Sequence, residues 1–334
     1  KANLQNRIRN IASGGNTALF AGVSKGAHEL RTYLESNKVN RVILLSDGLA
    51  NVGPSTPSEL GQLGSSLGRE GISVTTIGLG EGYNEDLMAQ LAYNSDGAHS
   101  AILDASALAT AFQNELDSMF RVVAQRISLN VQLADGVKFI RSLGRDVECN
   151  GSTVTSQLNQ VGENQEKYVL LEVEVPEQLD GQVAKCTLDY ESVFDGESNQ
   201  AKAVTEVQRA DDPEVAKNAI RQDVYSEAVT QVVVEANEKA IELRDKGQVQ
   251  EAKAALLESA SEANTYLGFN RAKLSEQQQL KLEGVIAGNN SDAELVESEE
   301  EYRDNRKVMR AKQNEWQTQN GAVIQEKEPS PASK

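Results

Sequence analysis

The chain has 334 residues, long enough for two or three domains, and carries 50 acidic against 33 basic side chains, a formal net charge of −17. That surplus excludes an electrostatic grip on nucleic acid or on an anionic membrane. No run of about 20 apolar residues occurs, so no transmembrane helix is encoded, and aromatic residues, at 4%, are too sparse for a sugar-stacking groove.

Leu4, Ile8 and Ile11 recur at helical spacing and predict a short amphipathic helix over 3–11. Gly14-Gly-Asn-Thr17 then precedes a helix over 18–34, with Leu19, Val23, Ala27, Leu30 and Leu34 on one side. The most informative stretch is 41–48, Arg-Val-Ile-Leu-Leu-Ser-Asp-Gly. Its apolar run breaks at Ser46-Asp47-Gly48, the pattern of a buried parallel strand delivering a carboxylate to its C-terminal edge. Leu60, Leu63 and Leu67 predict a helix over 57–69, and Gly71-Ile-Ser-Val-Thr-Thr-Ile-Gly-Leu-Gly80 predicts a second buried strand. Strand, helix, strand is a right-handed crossover unit, and open sheets of this kind bind ligands at the C-terminal edge. Asn84 is placed to cap a helix starting near Glu85. A short edge strand over 101–103 and a closing helix over 105–123, with Leu108, Phe112, Leu116 and Phe120 on one face, complete an α/β domain over 1–125.

From Arg126 the apolar period changes to two. Ile127, Leu129 and Val131 alternate with polar residues, as do Val169, Leu171, Val173 and Val175, and Asp-Gly or Asn-Gly turns recur at 135, 150, 180 and 195. Short strands at this spacing predict an antiparallel β-sandwich over 126–210. It holds both cysteines, Cys149 and Cys186; they are read either as a disulfide, which would indicate an oxidising compartment, or as two reduced thiols. Asp211-Asp212-Pro213 starts a helical segment over 213–325. A long helix over 215–244 shows an apolar face of Ile220, Val224, Ala228, Val232 and Ala236, and Lys246-Gly247 stops it before a second arm over 249–263. Further polar helices fall at 270–286 and 291–318, and the proline- and serine-bearing tail over 326–334 reads as disordered.

Three motifs, in order and spacing, carry a resemblance: Gly14-Gly-Asn-Thr-Ala-Leu, then Val42-Ile-Leu-Leu-Ser-Asp-Gly-Leu-Ala-Asn51, then the 71–80 strand. Residues 1–125 resemble a von Willebrand factor type A domain, in the bacterial group that is also similar to inter-α-trypsin inhibitor heavy chains and includes lipoproteins. The resemblance implies a doubly wound, Rossmann-like α/β fold with the sandwich and helices following. It also implies a Mg²⁺ site at the sheet edge, where Thr17 and Asp47 would be metal ligands and a partner's carboxylate would complete the shell. The rim would comprise Asn16, Gly48, Leu49, Asn51, Tyr83 and Asn84. No Asp-x-Ser-x-Ser, the family's first metal loop, occurs before Thr17, and the chain opens at Lys1, which together imply an N-terminally truncated domain with a weak cation site. Taken singly, Thr17 reads as a helix cap and Asp47 as a turn residue.

The function this implies is a non-catalytic, Mg²⁺-dependent protein-binding module of the bacterial cell envelope, periplasmic or secreted. A second reading is a structural scaffold with a vestigial metal site. A third is an α/β-hydrolase, because Gly22-Val-Ser24-Lys-Gly26 matches the nucleophile elbow and Asp47 and His99 follow in triad order. The helical period runs unbroken through Ser24, which argues against the strand-turn-helix an elbow requires.

Overall fold

The computed structural model of the chain describes residues 2–325 apart from 11, 13, 15, 36, 37 and 323. Ile11 of the first predicted helix and the predicted tail over 326–334 lie outside the described residues.

The chain begins with helices α1 (Ala2–Arg9) and α2 (Leu19–Arg31). Then strand β1 (Asn40–Ser46), helix α3 (Pro57–Arg69), strand β2 (Ile72–Leu79), helix α4 (Glu85–Asn94), strand β3 (His99–Ile102) and helix α5 (Leu108–Phe120) follow. The three strands lie parallel in the order β1-β2-β3. A capping box between Thr56 and Glu59, with proline in the first turn, starts α3, and the Asn84 side chain caps α4 as its position predicts. On one face of the sheet Val23, Leu60, Leu67, Leu87 and Leu91 close over Ile72 and Val74. On the other, Ala111 meets Ile77 and Ile102.

Helix α5 does not bury the predicted stripe. Its buried residues are Ala111 and Glu115, while Phe112, Leu116 and Phe120 are exposed, Phe120 by 86%. The cause is Glu115, whose carboxylate accepts from Arg41 at 2.9 Å and from the Thr75 hydroxyl at 2.8 Å. That bonded carboxylate, and not the apolar stripe, sets which side of the helix faces the sheet.

Only Arg121 separates α5 from β4 (Val122–Leu133), so the change of architecture falls a few residues before the expected 125/126. Strands β5 (Lys138–Leu143), β6 (Glu148–Asn150), β7 (Thr153–Gly162), β8 (Leu170–Glu174), β9 (Gly181–Ser192) and β10 (Ser198–Val207) complete this part. Five of them form an antiparallel sheet in the order β10-β9-β4-β7-β6, and β5-β8 form a separate ribbon. Val131, Val154 and Val183 of the sheet share a core with Phe139, Leu171 and Val173 of the ribbon. The expected sandwich is therefore an uneven pair, a sheet faced by two strands.

Of the two readings of Cys149 and Cys186, the structure has the thiols: both cysteines are free. Cys149 lies opposite Val154, Val154 opposite Val131, and Val131 opposite Cys186. Three inter-strand steps of about 4.8 Å hold the two backbones roughly 14 Å apart, well beyond the roughly 7 Å that a disulfide spans.

Five helices follow: α6 (Pro213–Asn218), α7 (Gln222–Asp245), α8 (Val249–Asn270), α9 (Glu276–Leu295) and α10 (Glu299–Thr318). The single helix expected over 215–244 is split between α6 and α7, and its apolar stripe is turned outward at Ile220, Val224 and Val232. The buried side of α7 includes Thr230, Gln231, Val233, Val234, Asn237 and Ile241. Its polar members are bonded inside the bundle: Asn237 donates to Asn289 at 3.0 Å and Asp292 at 2.8 Å, and Gln231 donates to the Trp316 carbonyl at 2.8 Å. A bonded amide is buried as readily as a leucine, so apolar periodicity misplaces this face.

The three parts meet at Asp96, in the left-handed turn after α4 (φ 54°). Its carboxylate accepts from Arg145 at 2.9 Å, from Lys167 at 2.9 and 3.0 Å, and from the Asn159 backbone N–H at 2.7 Å. Arg145 also donates to the carbonyl of Thr318 at the end of α10. Burial works against the Asp96 charge, but Lys167 and Arg145 outweigh it and hold the carboxyl at about 2. With its folded value below the unfolded one, this carboxylate's stabilisation is complete above pH ~4 and is lost as the pH falls toward 2. Asp96→Asn leaves two buried cations without their counter-charge and should destabilise the protein by about 3–5 kcal/mol at pH 7. Thermal unfolding of the two proteins across pH should show that difference shrinking on acidification below pH ~4.

Candidate functional site

The C-terminal ends of the parallel strands form one edge, and three loops meet there. At the end of β1 the Ser46 hydroxyl donates to the Gly48 carbonyl at 3.1 Å and accepts from the Gly48 N–H at 3.4 Å, turning the chain sharply around an exposed Asp47. Thr17, just before α2, is tied to the same turn. Its N–H donates to the Asn51 side chain at 2.8 Å, and its carbonyl accepts from the N–H groups of Asn51 and Val52 at 3.0 and 3.3 Å. These bonds carry the Thr17 hydroxyl over Gly48, where a β-carbon built on the glycine would lie 3.6 Å from it. The residue at the cap position of α2 is Ala18, without a side-chain cap bond, so Thr17 is not the helix cap that its position alone suggests. Among the described residues, neither the Thr17 hydroxyl nor the Asp47 carboxylate has a hydrogen-bond or ion-pair partner.

The third loop follows β2. A β-carbon on Gly82 would sit 2.5 Å from the Asp47 carbonyl, so only glycine lets this loop close on the turn. Tyr83 does not line a rim, as the sequence suggests. It is 2% exposed, and its ring lies flat on Gly78, where a β-carbon would come within 2.1 Å of a ring carbon. Burial, with the nearby Glu85 charge adding to it, raises the phenol above its ordinary range. Its ring packs edge-on to His99 at 6.1 Å, and the Lys307 ammonium sits 5.4 Å from its centre. Asn84 acts as the cap of α4, its side chain accepting from the Leu87 N–H at 3.1 Å. Of the other expected rim residues, Asn16, Leu49 and Asn51 are exposed and Gly48 is half-buried.

Helix α10 braces this loop from behind. Arg306 binds Glu85, and Asp86 at 2.8 Å, Arg310 binds Asp86 at 2.8 Å, and Lys307 approaches Glu85 at 3.5 Å. Sequence reading misses all three cations, because they lie more than 200 residues from their partners. The glycines at 78 and 82 were legible only as punctuation around a strand end.

Residues 1–115 match the family model of the von Willebrand factor type A domain. This part of the chain is a von Willebrand factor type A domain. A stretch of 133 residues is 25% identical to the uncharacterized protein YfbK of Escherichia coli K12, covering 40% of this chain and 23% of that protein. The von Willebrand factor type A structure from Catenulispora acidiphila superposes with a TM-score of 0.64 at 16% identity, over 80% of this chain and 64% of that one. The ArnB paralog VWA2 from Sulfolobus acidocaldarius does so with a TM-score of 0.55 at 22% identity, over 84% and 70%. At such identities the structural matches establish the shared fold.

Within the type A domain the hydrolase constellation is not assembled. Ser24 lies inside α2, with no strand directly before it. His99 is level with Thr76, and Thr76 with Leu44, which puts the histidine backbone two strands across and three residues back from Asp47, roughly 14 Å away. His99 is fully buried with its Nδ1 2.8 Å from the Thr76 hydroxyl, and burial lowers its pKa to about 4, so it is neutral at pH 7. Among the described residues no three His, Cys, Asp or Glu side chains gather into a metal cluster. The donors at the edge, one hydroxyl and one carboxylate, suit a hard cation in kind and fall short of a full shell in number.

The Tyr83 hydroxyl is buried without a hydrogen-bond partner among the described residues. Tyr83→Phe keeps the ring contacts and removes that group, so it should stabilise the protein by on the order of 1 kcal/mol. A higher midpoint in chemical denaturation is the expected reading.

Proposed function

We propose that the type A domain is a Mg²⁺-dependent protein-binding module without catalytic chemistry, with Thr17 and Asp47 supplying its two protein ligands. The observation carrying this reading is a pair of unengaged oxygen ligands, the Thr17 hydroxyl 3.6 Å from where a β-carbon on Gly48 would lie and the exposed carboxylate of the adjacent Asp47, at the edge where an open parallel sheet presents its ligands. Mg²⁺ prefers hard oxygen ligands, keeps several waters and binds through few protein groups. With two donors the chain alone binds the ion weakly. A carboxylate from a partner replaces a water, so cation and partner bind more tightly together than apart. Asn16, Leu49 and Asn51 form the exposed rim, with Leu49 offering apolar contact beside the charge. The partner is a protein with an accessible aspartate or glutamate. Placement in a bacterial envelope or in secretion rests on the family resemblance, since the free cysteines withdraw the disulfide argument.

The test is capture of binding proteins from an envelope extract by the immobilised chain, with Mg²⁺ and with EDTA. Capture should need the cation, and Asp47→Ala should weaken it by on the order of 2 kcal/mol or more, the size of an interface hot spot. Thr17→Ala should act in the same direction. Capture indifferent to EDTA and to both substitutions would support the scaffold reading instead.

A further inference from the structure

All ten residues of β10, Ser198–Val207, are paired with β9 on one side, and β10 is the last strand of its sheet on the other. Every residue from Ser198 to Glu206 is exposed. Long open edges invite pairing with another chain, and proteins usually blunt them with proline, bulges or inward-facing charge. Of such devices β10 itself carries only charge, Lys202 and Glu206. It contains no proline, and the irregularity in its pairing lies in β9, where Val183 is passed over between Ala184 and Gln182.

The strand carries two charges, Lys202 and Glu206, four residues apart on one face with Val204 between them. Neither forms an ion pair among the described residues. That spacing is self-complementary. In an antiparallel pairing of two copies about a two-fold axis through Val204, Lys202 of each lies opposite Glu206 of the other. An axis through Lys202 or Glu206 would set like charges together, and one through Ala203 or Thr205 would leave both charges facing neutral residues. A residue-centred axis also matches each outward-pointing backbone group with one from the same alternating set, as an antiparallel ladder requires.

We propose that two copies of this chain associate edge to edge through β10, in the register centred on Val204, joining their five-stranded sheets into one. Main-chain hydrogen bonds supply the attraction and the two Lys202–Glu206 pairs select the register. This inference is independent of the cation site.

Sedimentation of the full chain over a range of concentrations tests it. Lys202→Glu alone and Glu206→Lys alone each place like charges opposite at both positions and should weaken the dimer about tenfold or more. An equimolar mixture of the two variants should restore it, because each cross-pair again joins opposite charges. Both positions are exposed, so circular dichroism should show unchanged folding. Val204→Cys in a Cys149→Ser background should form a disulfide across the axis, since facing residues in such a ladder lie within disulfide reach. A chain that stays monomeric, a dimer that both reversals leave unchanged, or a mixture no stronger than its components would overturn the proposal.

Discussion

A single buried carboxylate governs how the parts of this chain sit on one another. Asp96 closes α4 of the type A domain, Asn159 belongs to the antiparallel sheet, Lys167 and Arg145 lie in its loops, and Thr318 ends the last helix. Removing these charges from water is expensive, and their mutual attraction offsets the penalty only in near-complete geometry. The cluster meets that requirement: two cations and a backbone N–H saturate the carboxylate, and the Asn320 side chain donates to the Asp96 carbonyl at 3.0 Å. A greasy junction would tolerate small rotations of one part against another. A saturated ionic junction does not, because any rotation strands a buried charge.

That fixed junction has a consequence at the sheet edge. Because α10 is anchored at its C-terminal end by the Asp96 cluster, its middle turns are held against the start of α4, where Arg306, Lys307 and Arg310 bind Glu85 and Asp86 and cover Tyr83. The loop that follows β2 therefore lies on the Asp47 turn as part of a braced layer. Its closeness to that turn depends on glycine at 82 and its floor on glycine at 78, two positions without room for a side chain. Pre-positioned donors avoid an ordering cost on binding, which is of most value where the donors are few.

Strand β1 was legible from its apolar run, although it is largely half-buried with Leu45 exposed, and β2, read as a buried strand, is buried from Ile72 to Gly78. The order of three motifs associates Thr17 with the turn at Asp47, although each alone resembles an ordinary cap or turn, and the structure ties the Thr17 backbone to Asn51 and Val52 just beyond that turn. What the sequence concealed has a common physical origin. Glu115 rotates α5, Gln231 and Asn237 rotate α7, and in each case a buried polar group takes the place that hydrophobic periodicity assigns to an apolar one. The state of the cysteines stayed open for another reason: both lie on strands, but lateral strand order is not written locally, and two strands intervene. Tyr83 was misplaced because a tyrosine in a glycine-rich loop reads as exposed, whereas here the missing side chain at Gly78 makes the cavity that its ring fills.

The two proposed contacts also complement each other energetically. A cation held by one hydroxyl and one carboxylate contributes a weak link, and a partner bound through a single such link would leave quickly. Two copies paired along β10 would carry two such edges on one rigid body. A partner that itself displays repeated carboxylates would then bind its second site at the high effective concentration set by the first. The rigidity contributed by the Asp96 junction would matter here as much as the proposed metal ligands, because avidity requires that both edges hold a fixed separation and orientation. A protein assembled this way would gain strength from geometry, and the side chains of most consequence to it would lie away from the proposed cation site: Asp96 and Lys167 at the junction, and Lys202 and Glu206 on the open strand.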